Sequence, residues 1–201
     1  MRLYQSATSP FARKVMVVIH ETGLQGIELA PVAGTPVAPG SMPVDRNPLG
    51  KIPALVLDDG RTIFDSRVIC RYLDDCASAG LYPPGDRLWD TLTLESLADG
   101  ILDAAVLMVY ESRLRPEDGR FAPWVEGQWA KIDRSLQAVE DRWMAHLAAP
   151  LDMGQIALGT ALGYLDFRLG ARNWPQNRPA LAAWWRDFSA RPSMAATVPV
   201  G

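Results

Sequence analysis

Asn47-Pro48-Leu49-Gly50-Lys51-Ile52-Pro53-Ala54-Leu55 is the stretch on which the fold turns. Upstream of it, residues 33–48 hold four prolines and two glycines with no hydrophobic period, which predicts a loop. Downstream, Ile52–Leu57 is a short apolar run that ends on Asp58-Asp59-Gly60, and Thr62–Phe64 follows. Two runs separated by an Asp-Gly turn predict a β-hairpin, because glycine supplies the positive φ that such a turn needs. Read by itself, Pro53 is a proline opening a strand.

On the N-terminal side, Arg2–Gln5 predicts a strand and Thr8-Ser9-Pro10 a helix start. A serine side chain satisfies a free helix amide, and proline fits the first helical position because its missing N–H costs nothing there. Val15, Val18, Ile19 and Thr22 continue at helical spacing to Gly23, and Ile27–Val32 alternates as a second strand. On the C-terminal side, Asp65-Ser66 starts a helix with Val68, Ile69, Tyr72 and Leu73 on one side. Residues 1–80 thus read strand, helix, strand, strand, strand, helix.

Leu81-Tyr82-Pro83-Pro84-Gly85-Asp86 has the composition of a linker, and residues 87–201 read as helical throughout. Leu88–Leu114 is one long helix across Gly100. Phe121, Val125, Trp129, Ile132, Leu136, Val139, Trp143 and Leu147 form a continuous apolar stripe at steps of three and four. Asp152-x-x-Gln155 resembles a capping box ahead of Ile156–Leu169, a helix apolar on most faces. Leu181, Trp184, Trp185 and Phe188 mark a last helix, ended by Arg191-Pro192.

Composition narrows the class. The 201 residues are 48% hydrophobic and 21% charged, enough for a core and unlike a disordered chain. A net charge of −3, without a basic run, argues against a nucleic-acid partner. No stretch reaches the roughly 18 apolar residues of a membrane span, and the first residues lack a signal-peptide core. The expectation is a cytoplasmic protein. Cys70 and Cys76 stand on different faces of one helix, and His20 and His146 are far apart, so neither a disulfide nor a metal site is expected.

Taken together, these segments resemble the cytosolic glutathione S-transferases. Ser9-Pro10-Phe11-Ala12-Arg13-Lys14-Val15 is similar to that family's glutathione-site turn. Asn47–Leu55 matches its most recognisable segment, and Asp65-Ser66 before Ile69 and Tyr72-Leu73 its glutamyl-recognition helix. Arg191-Pro192-Ser193 with Ala196-Thr197 resembles its C-terminal ending. Leu97-Ala98-Asp99-Gly100 and Gly163-Tyr164-Leu165-Asp166-Phe167-Arg168 look like a bacterial subgroup with a serine-type site. The resemblance implies an α/β thioredoxin-like N-terminal domain (1–80), an all-α C-terminal domain (87–201), a homodimer, and glutathione as co-substrate with no metal. Three features depart from the pattern: the proline-rich 33–46, Gln155 in place of aspartate, and a charged Arg67 after Ser66.

What the resemblance implies for each residue follows the chemistry of a thiol. A free thiol has a pKa of about 8.5, so lowering it by about two units requires about 2.7 kcal/mol of preferential stabilisation of the anion. Ser9, at a helix N-terminus, offers a hydroxyl donor and the helix's partial positive charge together. It would hold the thiolate while the sulfur attacks a small apolar electrophile. Thr8 is the rival hydroxyl, and Tyr4 a more distant one. With no cysteine at position 9, thiol-exchange chemistry is not expected. A cis Ile52–Pro53 bond would present the Ile52 backbone to the cysteinyl unit. Lys51 would meet the glycyl carboxylate, Asp65 the ammonium, and Ser66 with its helix amides the glutamyl carboxylate. Phe11 would pack beside the peptide or into the domain. Ala104, Leu107, Met108 and Glu111 share a face of the long helix, suited either to the second substrate or to packing.

Overall fold

The structure, a computed structural model, describes residues 1–200. The chain forms two compact units, one of Met1–Pro83 together with the residues from Pro192 onward, the other of Pro84–Arg191.

In the first unit, strands β1 (Arg2–Gln5), β2 (Glu28–Pro31), β3 (Ala54–Val56) and β4 (Thr62–Ile63) form one sheet in the order β2-β1-β3-β4. β1 runs parallel to β2, with Leu3 opposite Leu29, and antiparallel to β3, with Tyr4 opposite Ala54. β3 and β4 form the expected hairpin, with Leu55 opposite Ile63 and Gly60 at φ +87°. The hairpin strands are shorter than Ile52–Leu57 and Thr62–Phe64. Pro53 brings no N–H to the ladder, so regular pairing starts after it. Likewise β2 is an edge strand, which is where its terminal Pro31 is tolerated.

Helix α1 (Pro10–Thr22) connects β1 to β2. Ser9 caps it, its Oγ accepting from the Ala12 N–H at 3.2 Å, and Gly23 ends it in the left-handed conformation at φ +67°. Helix α2 (Ser66–Ala77) begins from an Asp65 cap. Its inner side is Ile69, Cys70, Leu73 and Asp74. Val68, expected on that side, is 49% exposed. Leu3, Val15, Val18, Leu55, Ile69 and Leu73 are sealed in the core of this unit. Cys70 is buried and Cys76 exposed, and neither is in a disulfide.

The second unit holds α3 (Asp86–Leu114), α4 (Ala122–Arg142), α5 (Met144–Leu147), α6 (Met153–Leu169) and α7 (Pro179–Ser189). α6 is buried along Met153–Leu165 and packs against α3, as its all-round apolar sequence requires. The long stripe is interrupted at Trp143, whose φ −111° and ψ −4° close α4 before α5. Only Ile132, Leu136, Val139 and Leu147 of it are fully buried, while Phe121 is 63% exposed and lies outside the helix. Asp152 caps α6 through the Gln155 N–H at 3.2 Å. The Gln155 amide, instead of closing a capping box, donates to the carbonyls of His146 and Ala149 at 3.1 Å.

Helix α8 (Pro192–Ala195) packs on α1, so the last residues join the first unit rather than the helical domain in which the 87–201 boundary placed them. Arg13, quoted in the glutathione-site turn, supplies the tie. Its Nη2 donates to the Met194 carbonyl at 3.1 Å and its Nε to Thr197 Oγ1 at 3.4 Å. Burial pushes this guanidinium down to about 10.

Candidate glutathione site

Strand register brings the three quoted segments to one rim of the first unit. β1 ends at Gln5 beside the start of β3, and β4 ends at Ile63 beside Leu55. Neighbouring strands lie about 4.8 Å apart. Ile52-Pro53, just before β3, therefore sits between the chain leaving β1 and the chain leaving β4. The first of those becomes the N-terminus of α1, the second the N-terminus of α2. Both helix starts point unpaired amides at the same rim.

At the α1 start, Ser9 is half-buried and already accepts a bond at its cap. A hydroxyl keeps its own proton when it accepts, so capping leaves Ser9 able to donate outward. The Thr8 and Ser6 hydroxyl oxygens are 3.3 Å apart and share a hydrogen bond. Tyr4 stays within β1, half-buried, with the Arg2 guanidinium 5.5 Å from its ring centroid. Phe11 is half-buried on the first turn of α1.

In the central segment, Ile52–Pro53 is cis. Pro53 is buried, Ile52 half-buried and Lys51 exposed. Among the described residues, neither the Ile52 N–H nor its carbonyl makes a backbone hydrogen bond. The organiser of this segment is Asn47, whose role the sequence reading missed. It is 2% exposed, donates through Nδ2 to the Lys51 carbonyl at 2.8 Å and accepts from the Leu49 N–H at 3.0 Å. Asparagine followed by Pro-x-Gly was the available signal, since its side chain bonds backbone two residues on.

At the third segment, the Asp65 carboxylate caps α2 through the Arg67 N–H at 3.0 Å and pairs with the Arg67 guanidinium at 3.5 Å. It is half open to solvent. Ser66 is 2% exposed. Arg67, odd on inspection of the sequence, thus meets Asp65 through both its amide and its exposed guanidinium.

A cavity of about 310 Å³, lined by Met16, Ile19, His20, Leu24, Ile27 and Leu29, lies at the far end of α1. Its nearest lining residue on α1, Met16, stands seven residues along the helix from Ser9, about 10 Å. In the helical unit, Ala104 and Met108 are buried and Leu107 is 42% exposed. Glu111 is a loop tie: its Oε1 accepts from the Phe121 N–H at 3.0 Å and its Oε2 from Arg115 Nε at 2.8 Å. Among the described residues, no cluster of His, Cys, Asp and Glu has metal-site geometry, and no helix is long and apolar enough to cross a membrane.

Comparison with known proteins bears on the family of the chain. Residues 8–76 match the family pattern "Glutathione S-transferase, N-terminal domain", and residues 122–186 match "Glutathione S-transferase, C-terminal domain". The uncharacterized GST-like protein YibF of Escherichia coli K12 is 34% identical over 99% of this chain and 98% of its own. A glutathione transferase family member from Pseudomonas fluorescens Pf-5, crystallised with bound glutathione, is 46% identical, covering 100% of this chain and 99% of its own, with a TM-score of 0.97. A second crystal structure of a family member from that strain, with bound S-(propanoic acid)-glutathione, is 45% identical over the full length of both chains, with a TM-score of 0.93. With a thioredoxin-like α/β unit, a helical unit and relatives matched end to end, the chain belongs to the glutathione S-transferase family.

Proposed function

We propose that this protein is a serine-type glutathione transferase that binds glutathione at the rim of its first unit, holds the thiolate, and transfers it to a small electrophile. The observation that carries the reading is the free Ile52 backbone between two helix N-termini. An extended peptide pairs with such an edge through main-chain hydrogen bonds. Glutathione has a cysteinyl unit to pair there and carboxylates at both ends. Ser66 and the α2 amides suit the γ-glutamyl carboxylate, Asp65 its ammonium, and Lys51 the glycyl carboxylate. Ser9 then faces the sulfur, donating the proton its cap bond leaves free. The relatives crystallised with glutathione and with an S-substituted glutathione support the same ligand. The reacting sulfur forms a bond to the electrophilic carbon, the leaving group departs with its electron pair, and the thiol proton passes to solvent.

Calorimetric titration of glutathione into wild type and Asp65→Ala tests the binding half. Loss of the charged partner should weaken binding by about 1–3 kcal/mol, roughly five- to 150-fold. Unaltered affinity would remove Asp65 from the site. Binding without turnover on any activated aryl halide would leave a glutathione-binding module and not an enzyme.

A further inference from the structure

Asn47 engages both of its backbone groups and both ends of its side-chain amide within one short loop. Its N–H donates to the Pro43 carbonyl at 2.8 Å, and its own carbonyl accepts from the Gly50 N–H at 2.9 Å. Its Oδ1 accepts from the Leu49 N–H at 3.0 Å, and its Nδ2 donates to the Lys51 carbonyl at 2.8 Å. Both side-chain partners are backbone groups of fixed polarity, which settles the amide's orientation: oxygen toward Leu49, nitrogen toward Lys51. Asn, Pro and Gly at the first, second and fourth positions suit the commonest β-turn. Gly50, at φ +60°, then returns the chain to the Asn47 side chain.

The consequence falls on Ile52. The Lys51 carbonyl and the Ile52 N–H belong to one peptide unit, and that unit is trans, the cis bonds being Ile52–Pro53 and Phe64–Asp65. In a planar trans peptide the C=O and the N–H point in opposite directions. Asn47 is 2% exposed. A Lys51 carbonyl held toward that buried amide therefore turns the Ile52 N–H away from it. This N–H makes no backbone hydrogen bond among the described residues. Pro53 has no N–H, so Ile52 carries the last donor before β3.

We propose that Asn47 is a positioning residue for glutathione: by holding the Lys51 carbonyl, it aims the Ile52 N–H at the carbonyl of the cysteinyl unit. This rests on the transferase reading above, and needs only its glutathione-binding half. The role requires a donor at position 47, not merely a side chain of that size. A carboxylate there still accepts from the Leu49 N–H, but it repels the Lys51 carbonyl and leaves the peptide unit free to turn.

Asn47→Asp, nearly the same size, separates aiming from packing. Titrated calorimetrically, glutathione should bind the variant about two- to tenfold more weakly than wild type, the scale of one neutral hydrogen bond. Exchange of the Ile52 amide, followed by NMR, is a readout that a change in stability alone does not reproduce. It should slow when wild type is saturated with glutathione, and slow much less in Asn47→Asp at equal saturation. Wild-type Ile52 exchange that bound glutathione does not slow overturns the proposal, whether or not the variant folds. Unaltered affinity in Asn47→Asp overturns it, because Asn47 then serves only the loop. Weakened affinity with Ile52 fully protected also overturns it, because the loss then arises at another group. Wild type that does not bind glutathione at all removes the transferase reading and this proposal with it.

Discussion

Ser9 has two jobs available to it, and only one involves chemistry. Its oxygen caps α1 through Ala12, a bond that would be there in a protein with no substrate. Donation to sulfur uses the other half of the hydroxyl, so the two roles are separable by substitution. Ser9→Ala should cost about 1 kcal/mol of stability from the lost cap. It should also raise the pKa of bound glutathione and slow turnover about ten- to a hundredfold, the scale of one hydrogen bond to a charged group. Thr8→Val makes the contrasting case. Thr8 shares a hydrogen bond with Ser6, so its removal should leave the thiol pKa in place. Thiolate absorbance of the glutathione complex across pH, in the two variants, reads the difference directly. A thiol pKa that follows Thr8 and ignores Ser9 would make Ser9 a cap and nothing more.

Elements were legible where local rules decide them. Ser9-Pro10 and Gly23 bracket α1, and Asp58-Asp59-Gly60 turns the hairpin, because caps and turns need particular residues. Phe121 and Trp143 show the limit. The apolar period continues through both, yet the chain leaves the helix at each, since what ends α4 is a tertiary bond and a backbone angle, not composition. The candidate site could be outlined for the same reason: three local motifs make it up. Arg13 was not legible, because its partners, Met194 and Thr197, reach it only through folding. Glu111 is the clearest instance, a residue on a promising helix face that turns out to fasten residues 115–121. The Phe121 amide and the Arg115 guanidinium hold its carboxyl below the usual 4.5. A depressed carboxylate adds stability above its unfolded pKa and loses it as pH falls through its folded value. The gap in Tm between wild type and Glu111→Gln should therefore be constant from neutral pH down to about 5 and narrow below about 4.5. A gap that persists unchanged to about pH 3 would show that the carboxylate is not the tie.

At the scale of the whole molecule, the assembly we propose is a homodimer. The family implies it, and two-fold pairing is the commonest way for such a chain to cover apolar surface, of which Trp89 on α3 (66% exposed) is an instance. Sedimentation at micromolar concentration should give twice the chain mass, and a monomer would dismiss it. The chain's own ends allow a sharper test. Residues after Arg191 leave the helical unit and return to the first. Met194 is fully buried there, and Arg13 takes its carbonyl and the Thr197 hydroxyl as acceptors. Ser193 Oγ also donates to Glu21 near the end of α1. The C-terminus is thus a clasp on the helix whose start carries Ser9. Met194→Ala should destabilise the protein by about 2–5 kcal/mol, the cost of emptying a packed site. Hydrogen exchange should locate that cost: amides of α1 and β1 should lose protection, while those of α6 should keep theirs. Glutathione affinity should fall with α1, because its first turn forms one wall of the rim. Faster exchange in α6 or α7, with α1 unaffected, would return the tail to the helical unit.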